Sequence, residues 1–412
     1  MAKRDREIVV GLDIGTTKIC CTIAEINGDG ILDIIGIGTH PSRGLRRGVV
    51  VNIESTVESI KSAVEEAELM AGREIESVYV GIAGGHIKGF NSHGIIAVKN
   101  REVMEADKER VVEAAKAVAI PMDREVIHII PQDYILDGHD GIQEPRGMSG
   151  VRLEARIHII TGAVTSAQNI IRSVNRAGLD VEDIIVEQLA SAEAVLDPEE
   201  KDLGVALVDI GGGTSDIAIF AESSVRYTSV ISLGGNNITS DIAIGLRTPQ
   251  SEAEKLKRKH GCAMKALVGR GDQIEVPSVG GREPRVLSRD VLSEIIGPRV
   301  EEIFHMILRD VENSGYIEGI TSGLVITGGA TILEGLPEVA ESVFGLPVRR
   351  GFPKGVGGLV DVVNSPQFST CVGLLMFGQK SRQGGKRKKP LKGRNLFNNV
   401  VDSMKGWVED FF

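Results

Sequence analysis

Apolar positions along this chain come in short runs separated by small and charged residues. IVVGLDIGTTKICCTIAEI, from Ile8, reads as a β-branched strand, a turn of Gly and Thr, and a second apolar strand. The pattern returns in GVALVDIGGGTSDIAIFAE, from Gly204. Read as hairpins, the two copies place Asp13 and Asp209 at equivalent positions, each at the end of a first strand beside a loop of small residues. A third run, GLVITGGATILEGLPEVA from Gly323, predicts a strand, a Gly-Gly turn and a helix starting near Thr331. Between the copies, DKERVVEAAKAVA predicts a charged helix and REVIHIIPQDYILDG a strand. The period changes again at the end of the chain. On a helical wheel Leu396, Phe397, Val400, Val401, Met404, Trp407, Val408, Phe411 and Phe412 fall within about 160° of arc. Asn398, Asn399, Asp402, Ser403, Lys405, Glu409 and Asp410 fill the other side.

Length and composition narrow the classes. A chain of 412 residues predicts two or more domains. Fifty Gly against fourteen Pro point to tight turns and close backbone approaches. A formal net charge of −10 argues against nonspecific nucleic-acid binding, which needs basic surface. No stretch reaches the roughly 18 apolar residues of a membrane span, and no signal peptide is visible, so the chain is expected to stay in the cytosol unless its end attaches it elsewhere. Cys20, Cys21, Cys262 and Cys371 form no C-x-x-C pair, which disfavours zinc and iron–sulfur sites and predicts buried thiols. His128 and His158 sit in apolar runs, where a hydrogen-bonded core histidine is expected.

The repeated loops carry the candidate chemistry. Gly15, Gly211, Gly212 and Gly213 let backbone approach an anion closely, and Thr16, Thr17, Thr214 and Ser215 add hydroxyls. Lys18 brings a positive charge beside the first loop. Asp13 and Asp209 are suited to a hydrated Mg2+. Two such hairpins facing each other would grip a polyphosphate. One D-x-G-x-T turn is ordinarily just a hairpin; its recurrence favours the phosphate-binding alternative. The Gly328–Gly329 turn adds a helix start suited to a nucleotide. Neither a Walker loop nor a G-x-G-x-x-G fingerprint occurs.

These motifs, in this order, resemble the actin-like ATPase superfamily. DIGTTK and DIGGGTSD resemble its two phosphate loops, VEQLASAEAVL its connecting helix and ITGGATILEGL its adenosine loop. The resemblance implies an α/β fold of two similar halves around a cleft that binds ATP and Mg2+. It makes Glu187 the residue that orients attacking water, with Asp13 and Asp209 organising the metal. Gly328, Gly329 and Ala330 would face the adenosine. Asn236 joins the nucleotide contacts, as do Glu254 and Lys257 in SEAEKLKRKHG, a helix that is otherwise an ordinary charged face. No sugar-kinase motif, no large domain after the last helix and no cluster-binding cysteines occur. GTHPSRGLRRGVVVNIEST and IIPQDYILDG further resemble the FtsA family of bacterial cell-division proteins. A pilus-assembly relative of the same fold is the alternative.

The FtsA resemblance implies subdomain IA at 1–83, 163–195 and 362–380, a small α+β subdomain IC at 84–162 in place of actin's IB, IIA at 196–234 and 302–361, and IIB at 235–301. It implies actin-like filaments, recruitment of later division proteins through IC, and capture of the FtsZ C-terminal peptide by IIB, with Arg299 and Glu302 as candidate contacts. Their alternative is a plain exposed helix face. It also implies a peripheral place on the cytoplasmic side of the membrane, at the septum. The tail supports that place independently. QKSRQGGKRKKPLKGR holds eight Lys or Arg and no acid, so a disordered basic linker is expected over 381–394. A helix over 395–412 with Trp and Phe on one face, after such a linker, reads as an in-plane anchor on an anionic membrane surface. Docking onto the protein's own core or onto a partner is the alternative.

Overall fold

The structure, a computed structural model, describes residues 7–280 and 282–383. Both predicted hairpins form. Ile8–Ile14 pairs antiparallel with Lys18–Ile26, setting Asp13 opposite Cys20, and Val205–Ile210 pairs with Ser215–Ala221, setting Asp209 opposite Asp216. Each hairpin continues into a third antiparallel strand, Leu32–Pro41 or Ser224–Ile231. On the other side of each first strand lie two parallel strands: Ser77–Ile82 and Asp180–Val186 in one sheet, Leu324–Thr327 and Val348–Arg350 in the other. The sequence repeat is thus a fold repeat, with five strands in the same order twice. The first strands are buried along their length, as expected of sheets covered on both faces.

A four-stranded antiparallel sheet is inserted after Ile82, in the order Lys88–Ala97, Arg152–Ala163, Arg124–Leu136, His139–Ile142. The helix Glu105–Lys116 packs on it over a separate core that includes Val103, Val111, Ile129, Tyr134 and Leu153. Its edge strand Lys88–Ala97 runs beside Ser224–Ile231, the edge of the second half's sheet, and side chains bridge the two. Asn91 Nδ2 donates to Arg226 O at 3.1 Å, Gln132 Nε2 donates to Val225 O at 2.7 Å, and His158 Nε2 lies 2.8 Å from Thr228 Oγ1. Burial pushes the His158 pKa down to about 4, so this bridge is made by a neutral ring. His128 accepts the Val186 N–H at 3.1 Å. Both histidines are the hydrogen-bonded core residues expected.

The end of the described chain returns to the first half. Val356–Gly358 adds to the first sheet, parallel to Leu32–Pro41, and the helix Ser369–Gln383 places Cys371, Leu374 and Leu375 in the first core. All four cysteines are buried and unpaired by disulfides. No described helix is long and apolar enough to cross a membrane.

Two expectations change. The helix expected near Thr331 starts at Leu336; Gly329–Ile332 is a 3-10 turn instead. Gly335, at φ 79°, breaks the backbone there, and Pro337 suits the first helical turn. The last helix also runs to Gln383, three residues into the segment expected as linker. Arg382 holds it there, donating to Ile8 O and pairing with Glu182 at 2.9 Å. The rest of that linker, from 384, and the expected amphipathic helix with all its apolar positions lie outside the described residues.

The last helix crosses the connecting helix Glu187–Val195 at Gly373, where an added Cβ would lie 1.8 Å from Ala190 O. Gly373→Ala is therefore expected to destabilise by about 1–3 kcal/mol through overpacking, read as a lower urea midpoint with unchanged m-value.

Candidate functional site

The two hairpin loops meet between the halves. A Cβ on Gly212 would lie 1.8 Å from Thr17 Oγ1, and one on Gly213 2.8 Å from Thr16 Oγ1. Only glycine lets the loops come this close. The second loop turns its carbonyls onto the start of the helix Gly235–Leu246: Gly235 N–H donates to Gly211 O at 2.9 Å and Asn236 N–H to Gly212 O at 2.7 Å. Among the described residues, no hydrogen bond takes up the N–H of Gly212 or Gly213. The loop therefore presents free donors, the arrangement an anion uses.

Four carboxyl groups sit close below. Asp13 and Asp209 end their strands, Asp216 faces Asp209 across the hairpin, and Glu187 opens the connecting helix. Asp209 accepts from Ser191 at 2.5 Å and Thr370 at 3.2 Å. Burial pushes the Asp13 pKa up to about 6, with Lys18 opposing and Asp209 adding. Burial, then Asp209 and Asp13, push Asp216 up to about 8. Asp209 is also raised by burial, against the bonds from Ser191 and Thr370. Glu187 is raised well above the carboxylate range by burial and then by Asp13, Asp216 and Asp209. Asp216 Oδ1 is buried without a hydrogen-bond partner. This is an acid cluster short of positive charge. A divalent cation fits it by that charge balance. No group of three or more His, Cys, Asp or Glu able to hold a metal directly occurs among the described residues; a hydrated ion needs fewer direct ligands.

The structure gives the remaining predicted residues the following surroundings. Lys18 Nζ donates to Gln367 O at 2.8 Å and lies 4.1 Å from the centre of the Phe368 ring. Thr214 supports Asp216 by a side-chain hydrogen bond, and a Cβ on Gly15 would meet Lys18 O at 2.8 Å. Gly328, at φ 92°, backs onto Asp209, since a Cβ there would lie 2.3 Å from Asp209 Oδ1. Gly329 borders Gln367. A further corner forms where Lys257 Nζ and Ala330 Cβ come 3.3 Å and 3.4 Å from the Cβ position of Gly235. Lys257 is tied there to Gly235 O at 3.0 Å, Thr239 at 2.8 Å and Glu254 at 2.7 Å. Asn236 Oδ1 faces Thr17 Oγ1 at 3.4 Å. Arg299 and Glu302 are not brought to this centre. Arg299 forks onto Asp241, 3.1 Å from its Oδ1, and pairs with the exposed Glu302 on the long helix Arg289–Ser314.

Sequence reasoning missed Asp216, Ser191 and Thr370. Asp216 was within reach: in a hairpin with a four-residue loop it must face Asp209. Ser191 and Thr370 are brought in by helices far away in sequence, with no local signal.

Comparison with known proteins now adds the family. The profile described as "Cell division protein FtsA" matches residues 206–373, and that of the "SHS2 domain inserted in FTSA" matches residues 84–161. The "Cell division protein FtsA" of Pseudomonas aeruginosa is 52% identical over 411 residues, covering 98% of each chain. Among solved structures, the chain is similar to a "PilM-PilN type IV pilus biogenesis complex" at TM-score 0.65 and 17% identity, covering 91% of this chain and 99% of that one. It is similar to MreB5 of Spiroplasma citri bound to ADP at TM-score 0.57 and 15% identity, covering 92% and 99%. These two likenesses show the fold, which is actin-like.

The raised carboxyl pKa values set a pH dependence. Folded Asp216 keeps its proton to about pH 8, against an ordinary value of 3.8, so its contribution is fully present below about pH 4 and is lost as pH rises through about 8. Asp216→Asn removes that loss. The melting temperature of the variant is expected to exceed that of the wild type at pH 8.5, with the gap narrowing at pH 5; a gap independent of pH contradicts the assignment.

Proposed function

The chain belongs to the FtsA family of cell-division proteins, and on that premise we propose that it holds ATP with Mg2+ in the cleft and links the division filament protein FtsZ to the membrane. The observation that carries the nucleotide reading is the meeting of two glycine loops above a buried acid cluster. The phosphates would lie against Gly15 to Lys18 and Gly211 to Thr214. The base and ribose would lie toward Gly328, Gly329, Ala330, Asn236, Glu254 and Lys257. Asp13 and Asp209 would hold the metal through water. When bound, Mg2+ supplies the positive charge that the cluster lacks. Glu187 is the residue to orient a water, because it alone among the four opens the connecting helix.

The remaining parts of the proposal rest on family membership and on the tail sequence. The apolar stripe from Leu396 to Phe412 inserts into the cytoplasmic face of the membrane, and the preceding basic run attracts anionic lipid. The part running 235–301, with Arg299 and Glu302 at its border, receives the FtsZ C-terminal peptide. The inserted sheet receives later division proteins, and the protein assembles with copies of itself into filaments at the septum.

Calorimetry of the full chain tests the cleft. MgATP is expected to bind with a heat that varies with the ionisation enthalpy of the buffer, because protons leave the acid cluster as the cation enters. Gly212→Val is expected to weaken binding by at least about tenfold, its side chain standing where backbone and phosphate should meet. Unchanged affinity removes the assignment. The tether is tested by flotation with anionic vesicles and retention on immobilised FtsZ C-terminal peptide. Wild type is expected in both bound fractions, whereas Trp407→Glu keeps peptide and nucleotide binding but stays with the unbound protein in flotation.

A further inference from the structure

The stretch GLRRGVVV is given no task by the function proposed above. It forms a small hairpin, Leu45–Arg46 against Val49–Val50, whose tip is Arg47–Gly48. This tip is clamped between three pieces of the molecule. Gly48 N–H donates to Thr16 Oγ1 of the first loop at 2.9 Å. A Cβ on Gly213 of the second loop would lie 3.1 Å from Arg47 Cα. A Cβ on Gly48 would lie 2.9 Å from the backbone of Ala83 and Gly84, where the chain enters the inserted sheet. Arg47 thus touches the point at which the two candidate phosphate loops meet, and it does so with a left-handed backbone, φ 51°, that a side chain disfavours and glycine adopts freely. The turn accounts for that backbone, since a two-residue hairpin tip takes positive φ at both positions and Gly48 is at 76°, but it does not account for an arginine there, which asks for a function.

Charge supplies one. A magnesium nucleotide is still an anion, and the cleft floor is acidic. Of the predicted cationic contacts, Lys18 is committed to Gln367 O and the Phe368 ring, and Lys257 to Glu254, Gly235 O and Thr239. The Arg47 side chain is exposed and makes no hydrogen bond or ion pair among the described residues. Arginine is the side chain suited to phosphate oxygens, always charged and able to donate two parallel bonds.

Resting on the cleft reading above, we propose that Arg47 reads the terminal phosphate, making the cleft prefer a nucleoside triphosphate to a diphosphate. Arg46, one residue away on the strand of the hairpin, has no such place between the loops and serves as the control.

Affinities of the full chain for MgATP and MgADP, measured by calorimetry, test this. Arg47→Ala is expected to lose about tenfold or more in MgATP affinity, the loss of one charged hydrogen-bonded contact, with MgADP changed less than about twofold. Arg47→Gly suits the left-handed backbone, so it should fold at least as well as wild type and still lose the preference. That outcome separates lost charge from disturbed structure. Arg46→Ala should keep the wild-type ratio. If wild type binds both nucleotides and Arg47→Gly leaves the ratio intact, or weakens both equally, the role given to Arg47 is wrong while the cleft stands. If wild type binds neither nucleotide, the cleft reading falls and this role falls with it.

Discussion

Asp13, Asp209, Asp216 and Glu187 are crowded together because the two hairpins that carry three of them fold toward each other across the junction of the halves. Burial and mutual repulsion both disfavour the ionised forms, and Lys18 is the cation that opposes them at Asp13 and Asp209. The closed junction is therefore stabilised by protons or a cation in it. The glycine loops, the hydroxyls on Asp209 and the helix start that takes the carbonyls of the second loop are all arranged around that condition. Removing one member of such a buried set leaves the others unbalanced, so the cluster behaves as a unit.

The halves are held a second time, away from the acids. Between the inserted sheet and the edge strand Ser224–Ile231 the bonds include amide to carbonyl, hydroxyl to carbonyl and imidazole to hydroxyl, with His158 neutral. These contacts do not titrate near neutral pH, whereas the acid cluster does. A change of pH near neutrality thus acts on the acid side of the junction and leaves these bonds unchanged.

Much of this was legible in the chain. The hairpins were, because strand, Asp-Ile-Gly turn and strand are local and occur twice. The meeting of the loops was, because glycine at 212 and 213 has few other uses beside threonines. What was not legible depends on contacts between distant segments. Ser191 and Thr370 reach Asp209 from two helices, and Arg382 extends the last helix only because Ile8 O and Glu182 lie beside it. The start at Leu336 turned on the backbone at Gly335, which a Gly-Gly turn six residues earlier outweighed in the sequence pattern. The pairing of Arg299 with Asp241 from the neighbouring helix likewise had no signal in the sequence.

The crossing back of the chain has a consequence for how the protein is made. The first sheet lacks Val356–Gly358 and the helix Ser369–Gln383 until synthesis has passed residue 383, although its other strands emerge from the ribosome earlier. The second sheet, by contrast, is contained between Val205 and Arg350. The half begun first is therefore the half finished last. Its core can close only when the residues just before the tail arrive, so the chain comes to its proposed membrane-binding end at about the moment it becomes a folded protein.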